Sequence, residues 1–197
     1  LSESPVKAGV IYAGTDDGFI NITDNDGSSW KTIEVKKLPG VPATAYVNDI
    51  KADNFDVNKV YAVLDNHKYG DYQPYIYTSN DKGKTWRSIT SNLPDRTLTW
   101  RIVQDHVEKN LFFAATEYGI YFSVNSGKSW SKLNGGVPTI SFRDLAIHKR
   151  ENDLVGASFG RGFYVFDDIS VFRELSNSQM NNKATLFSVR KAWWYIA

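Results

Sequence analysis

Short apolar runs recur along this chain, and turn-forming residues bound each one. Val10-Ile11-Tyr12-Ala13-Gly14, Val60-Tyr61-Ala62-Val63-Leu64 and Leu111-Phe112-Phe113-Ala114-Ala115 are the first set. They are short and rich in β-branched and aromatic residues, so they predict strands rather than helices. A second strand is predicted after each, at 19–22, 75–78 and 120–122, and a third at 30–35, 86–90 and 130–133. One more precedes every unit after the first, where Asn48-Asp49-Ile50 aligns with Trp100-Arg101-Ile102 and Arg143-Asp144-Leu145. Leu154-Val155-Gly156-Ala157-Ser158 and Phe163-Tyr164-Val165-Phe166 give a fourth unit its middle strands. The extra length of the second unit is placed in a loop over residues 66–74, and the first unit is expected to start at its second strand.

An eight-residue pattern, S/T-x-D/N-x-G-x-S/T-W, falls between the later strands of three units. Its copies are Thr23 to Trp30, Ser79 to Trp86 and Ser123 to Trp130. Asn25, Asp81 and Asn125 can accept backbone N–H groups and close an Asx-type turn. Gly27, Gly83 and Gly127 supply a positive φ. Trp30, Trp86 and Trp130 open the next strand and can pack back over the turn. The rival reading is a calcium loop. Aligning Gly27 with position six of an EF-hand loop puts Ile22 at position one and Ile33 at position twelve, and neither side chain can ligate. The reading is structural, with no metal and no cofactor.

Four-stranded units at a period near 45 residues have the size of propeller blades. The pattern predicts an all-β chain of about four four-stranded antiparallel blades, an incomplete ring from a longer protein. Residues 1–175 form this partial β-propeller, 176–183 a polar linker, and 184–197 a following segment or a tail packed on the propeller. Where a box should close the fourth unit stands Asp167-Asp168-Ile169-Ser170-Val171-Phe172.

Composition narrows the partners. A net charge of +1 with scattered basic residues does not mark a nucleic-acid or membrane-surface binder. No 18-residue apolar stretch is present, so no membrane-spanning helix is expected, and no signal peptide is visible. With no cysteine, disulfides and thiolate chemistry are excluded.

The eight-residue pattern resembles the Asp-box, or bacterial neuraminidase repeat. Further stretches, Tyr12-Ala13-Gly14-Thr15-Asp16-Asp17-Gly18 and Gly160-Arg161-Gly162-Phe163-Tyr164-Val165-Phe166-Asp167-Asp168-Ile169 among them, resemble large bacterial glycosyl-hydrolase-like or sortilin-like propeller proteins. The resemblance implies a longer, exported parent, extracellular, periplasmic or at the cell surface, and the C-terminal part of a propeller. It carries no agreed catalytic set.

Strand parity places the loops between second and third strands, and the blade-to-blade crossings, at one mouth of the ring. The boxes fall at the other end. Candidate binding residues at the mouth are Asp65, His67, Tyr69, Tyr72, Trp100, Tyr118, Arg143 and Arg161, with Asp71 and Arg96 nearby. Carboxylates, arginines and aromatics suit a glycan or protein ligand. A glycosidase needs two carboxylates across the scissile bond, and Asp16 or Asp17 with Glu117 are the weak catalytic candidates. Two roles follow: a non-catalytic module that binds glycan or protein or scaffolds a larger exported protein, or a portion of a sialidase-like or glucanase-like hydrolase whose other blades lie elsewhere. The expected partners are such a ligand and the remaining blades of the parent.

Overall fold

A computed structural model describes residues 1–175 and 179–188. The chain is all-β, built as four consecutive antiparallel sheets. The first blade holds β1 (Ser2–Glu3), β2 (Ile11–Gly14), β3 (Phe19–Thr23) and β4 (Lys31–Glu34). The second holds β5 (Tyr46–Ala52), β6 (Val60–Asn66), β7 (Asp71–Ser79) and β8 (Arg87–Ser88). The third holds β9 (Thr99–Gln104), β10 (Phe112–Thr116), β11 (Gly119–Ser123) and β12 (Ser131–Lys132). The fourth holds β13 (Phe142–His148), β14 (Asp153–Ser158) and β15 (Phe163–Phe166), three strands among the described residues.

Three expectations are corrected. The first unit does have its leading strand: Ser2 pairs with Tyr12 and Glu3 with Ile11. The second unit's extra length is only partly loop, because β7 begins at Asp71 after a 3-10 turn at His67–Tyr69. The fourth sheet lacks its outer strand among the described residues. There a one-turn helix, α1 (Val171–Glu174), folds back on the third blade. Its Phe172 ring meets Phe122 edge-on at 4.8 Å and Phe113 at 5.4 Å. The linker and tail expectations fall partly on residues 176–178 and 189–197, outside the described residues.

The apolar runs are continuous because the middle strands of the inner blades are buried on both faces. Along β6, Val60, Ala62 and Leu64 face the first blade, where Tyr12, Ile20 and Ile22 meet them. Tyr61 and Val63 face the third, against Phe112, Ala114 and Tyr121. The alternate residues of β10, Phe113 and Ala115, join Phe142, Leu145 and Leu154 of the fourth blade. Side chains that alternate between two covered faces leave no solvent-facing position from Val60 to Leu64 or from Phe112 to Ala115. Tyr61 and Phe112 stack edge-to-face at 4.9 Å, and Tyr61 donates its hydroxyl to the buried Asp53 carboxylate at 2.6 Å.

The three boxes are built alike. The leading hydroxyl accepts the glycine N–H: Thr23 from Gly27 at 3.0 Å, Ser79 from Gly83 at 2.7 Å, Ser123 from Gly127 at 2.9 Å. The Asx oxygen accepts the N–H four residues on: Asn25 from Ser29, Asp81 from Thr85, Asn125 from Ser129. Hydrogen bonds from Thr85 hold the Asp81 carboxyl down to about 2. Both Gly83 and Gly127 are left-handed, and each also presses on the preceding blade. A Cβ on Gly83 would lie 2.4 Å from Ile22 Cδ1, and one on Gly127 2.9 Å from Ile89 Cβ. Gly83→Ala is therefore expected to cost more than about 1 kcal/mol, from φ and clash together, read as a lowered denaturation midpoint.

Candidate functional site

Parity of the strands decides which loops meet. Boxes lie beside the turns between first and second strands: Lys82 N–H donates to Asn58 O at 2.7 Å and Ser126 N–H to Asn110 O at 3.0 Å. The other mouth carries the crossings and the loops between second and third strands, as the sequence indicated.

The inner strands of blades two, three and four each reach that mouth through a β-bulge. In β5 the register skips Asn48, between Val47 and Asp49. In β9 it skips Trp100, since Thr99 pairs with Thr116 and Arg101 with Ala115. In β13 it skips Arg143. A bulged residue leaves the ladder and its side chain is re-aimed. Three blades thus place Asn48, Trp100 and Arg143 at the same station, and two of the three line a cleft.

The cleft has a volume of about 210 Å³ and is lined by His67, Tyr72, Arg96, Leu98, Trp100, Glu117, Tyr118 and Arg143. The Arg143 guanidinium lies 3.6 Å from the Trp100 ring centre, with Phe159 on a second side at 5.0 Å. Trp100 Nε1–H donates to Glu117 Oε2 at 3.1 Å, and that oxygen lies 4.0 Å from Arg143. Arg96 stacks 5.3 Å over Tyr72. His67 meets Trp100 edge-on at 5.7 Å.

Asp65 lies beneath this surface, fully buried. One carboxylate oxygen accepts the His67 N–H at 2.8 Å, and the other contacts His67 Nδ1 and the Tyr46 hydroxyl, each at 2.7 Å. Burial first, then Asp65, pushes the Tyr46 hydroxyl well above the usual tyrosine range. The Asp65 carboxylate fixes the imidazole, leaving Nε2 to the cleft.

Of the sequence candidates, His67, Tyr72, Arg96, Trp100, Glu117, Tyr118 and Arg143 come together here. Asp65 supports the site from below. Tyr69 is exposed on the 3-10 turn and Arg161 on the turn that Ser158 and Gly162 close, and neither lines the cleft. Asp71 is held by Tyr75, Asn66 and Gln73. Asp16 and Asp17 sit exposed on the first blade, Asp17 taking the Thr15 hydroxyl. The cleft is built from blades two to four, so the imagined Asp16 or Asp17 partnership with Glu117 does not form in it. Sequence reasoning missed Tyr46 and Phe159. Tyr46 gave a signal, as it stands two residues before the aligned Asn48 in the same crossing. Phe159 gave only an apolar residue beside a glycine turn.

A groove of about 350 Å³ beside Trp86 is roomier, but lysine stems and turn backbone line it without converging groups. Among the described residues, no group of three His, Asp or Glu side chains could hold a metal ion, and no helix is long and apolar enough to cross a membrane.

Comparison with solved structures places the chain among β-propellers. YCF48 bound to D1 peptide superposes with a TM-score of 0.60 at 18% identity, over 84% of this chain and 48% of that one. The GH74 xyloglucanase from Xanthomonas campestris gives 0.63 at 15% identity, over 84% of this chain and 28% of that one. The Cps50 (Swd1) β-propeller domain of Myceliophteria thermophila gives 0.60 at 13%, over 85% and 50%. The chain spans about half of these structures or less. No protein-family model matches it, and no curated protein does.

Proposed function

We propose that this chain is a non-catalytic β-propeller module that binds a protein or glycan segment in the cleft over blades two to four. One observation carries the reading. The cleft brings aromatic and cationic side chains from three blades together around a single carboxylate, Glu117, which Trp100 already engages. Two-carboxylate hydrolysis has no second acid there, whereas aromatic faces and fixed hydrogen-bonding groups are what a binding site uses. The peptide complex of YCF48 shows a propeller of this shape serving recognition. The GH74 neighbours keep a hydrolase portion as the second reading. We also propose that the chain comes from an exported protein of the Asp-box, sortilin-like kind, a reading that rests on the three boxes and the further matching stretches such as Tyr12 to Gly18 and Gly160 to Ile169.

The test has two arms. The purified chain is expected to show no turnover of xyloglucan, β-glucan or a sialoside. On glycan and peptide arrays it is expected to retain ligands that Tyr118→Ala, a change at a half-exposed cleft residue, loses at unchanged melting temperature. Hydrolysis abolished by Glu117→Gln would favour the second reading instead.

A further inference from the structure

Two guanidinium groups line the cleft without a protein hydrogen-bond partner among the described residues, Arg143 held against Trp100 and Arg96 exposed beside Tyr72. Arg143 is fixed flat on Trp100 at 3.6 Å and flanked by Phe159. It makes no hydrogen bond among the described residues. Its Nε is buried without a partner, and Glu117 Oε2, at 4.0 Å, is beyond hydrogen-bond reach. Arg96 is stacked on Tyr72 and likewise makes no hydrogen bond among the described residues. Its backbone is left-handed, with φ of 61°, a conformation uncommon for a long side chain. Strain of this kind gathers at ligand clamps.

A guanidinium is a planar fork that matches a carboxylate with two parallel hydrogen bonds, and aromatic stacking removes the freedom it would otherwise lose on binding. At the lip of the cleft two such forks meet one carboxylate, Glu117, which Trp100 already engages, while the Asp65 carboxylate beneath is covered by His67 and Tyr46. The cation-on-aromatic pairs suit a ligand that alternates acidic and apolar groups.

Resting on the binding reading above, we propose that the cleft receives an acidic polypeptide segment, with one side-chain carboxylate seated on Arg143 and a second on Arg96. Glu117 then positions Trp100, through its indole N–H, as the floor beneath Arg143.

Titration of the ¹⁵N-labelled chain with acetylated hexaglutamate, followed at the Trp100 indole N–H, tests this. A saturable shift is expected, weakened about tenfold or more by Arg143→Gln and by Arg96→Gly. The glycine variant keeps the left-handed backbone, so it guards against a folding artefact. Binding should also fall as salt rises. An equal shift with hexaglutamine would overturn the carboxylate assignment and leave the binding reading standing. Response to tetragalacturonate but not hexaglutamate would overturn the polypeptide assignment. Silence towards all three would overturn the proposal, while ligands retained on the arrays would still support the binding reading.

Discussion

Asp105→Ala is expected to destabilise the chain by about 3–5 kcal/mol, the usual cost of removing one partner from a buried ion pair. Asp105 is fully buried at the end of β9 and grips Arg173 of α1 through two bonds, Nε to Oδ2 at 2.8 Å and the second guanidinium nitrogen to Oδ1 at 2.9 Å. It also accepts the Val107 and Glu108 N–H groups at 3.0 and 2.7 Å. Its loss strands a largely buried guanidinium and two backbone donors, and it unfastens the helix that folds back on the third blade. Urea denaturation measures the effect. Arg173→Met on top of Asp105→Ala should recover part of it, since the stranded charge is gone. A single Asp105→Ala loss below about 1 kcal/mol would mean that the helix is not held this way.

The same pair sets an acid limit. Burial alone would raise the Asp105 carboxyl, but Arg173 and the two N–H groups hold it below the usual carboxylate value. A carboxyl lowered in the folded state contributes stability that is complete above its unfolded pKa, near 4. That contribution is lost as pH falls through the folded value. The acid-side slope of stability should therefore flatten in Asp105→Asn.

Trp130→Ala should cost about 3–5 kcal/mol, and Trp30→Ala within about 0.5 kcal/mol, although both tryptophans occupy the same box position. Trp130 is 3% exposed, and Trp30 is 46% exposed. Trp130 Nε1–H donates to Ile89 O at 2.8 Å, and its backbone N–H and carbonyl bond the Asn92 amide at 2.7 and 2.9 Å. Each box leans on the blade before it. The first box has no such blade in the described structure, so its tryptophan covers only its own turn. Trp86 is half-buried and should fall between the two. Equal losses at Trp30 and Trp130 would refute this ordering.

That ordering shows where the sequence was legible. The box reads correctly as a turn because its hydrogen bonds are local, within eight residues. The burial of its tryptophan depends on the neighbouring blade, and nothing inside the motif reports it. The middle strands were plain because two covered faces make them continuously apolar. β1 was missed because a two-residue strand, Ser2–Glu3, carries no periodicity. Alignment across units put Asn48, Trp100 and Arg143 on one line without revealing that all three are bulged. Asp16, Asp17 and Arg161 looked equivalent to the cleft residues because parity assigns an end of the ring but not a distance from its mouth. Asp65 was named from its place beside the loop, but its role, fixing His67 from below together with Tyr46, is a tertiary contact that the loop's composition does not report.

The bulges have a consequence for how such a chain can change over time. A residue outside the ladder has no opposite number to satisfy, so replacing it leaves every neighbouring pair in register. Blades two, three and four already hold an amide, an indole and a guanidinium at that position. The residue at that station can therefore differ from blade to blade, like one tooth cut on a key, while the strands on either side keep their pairing.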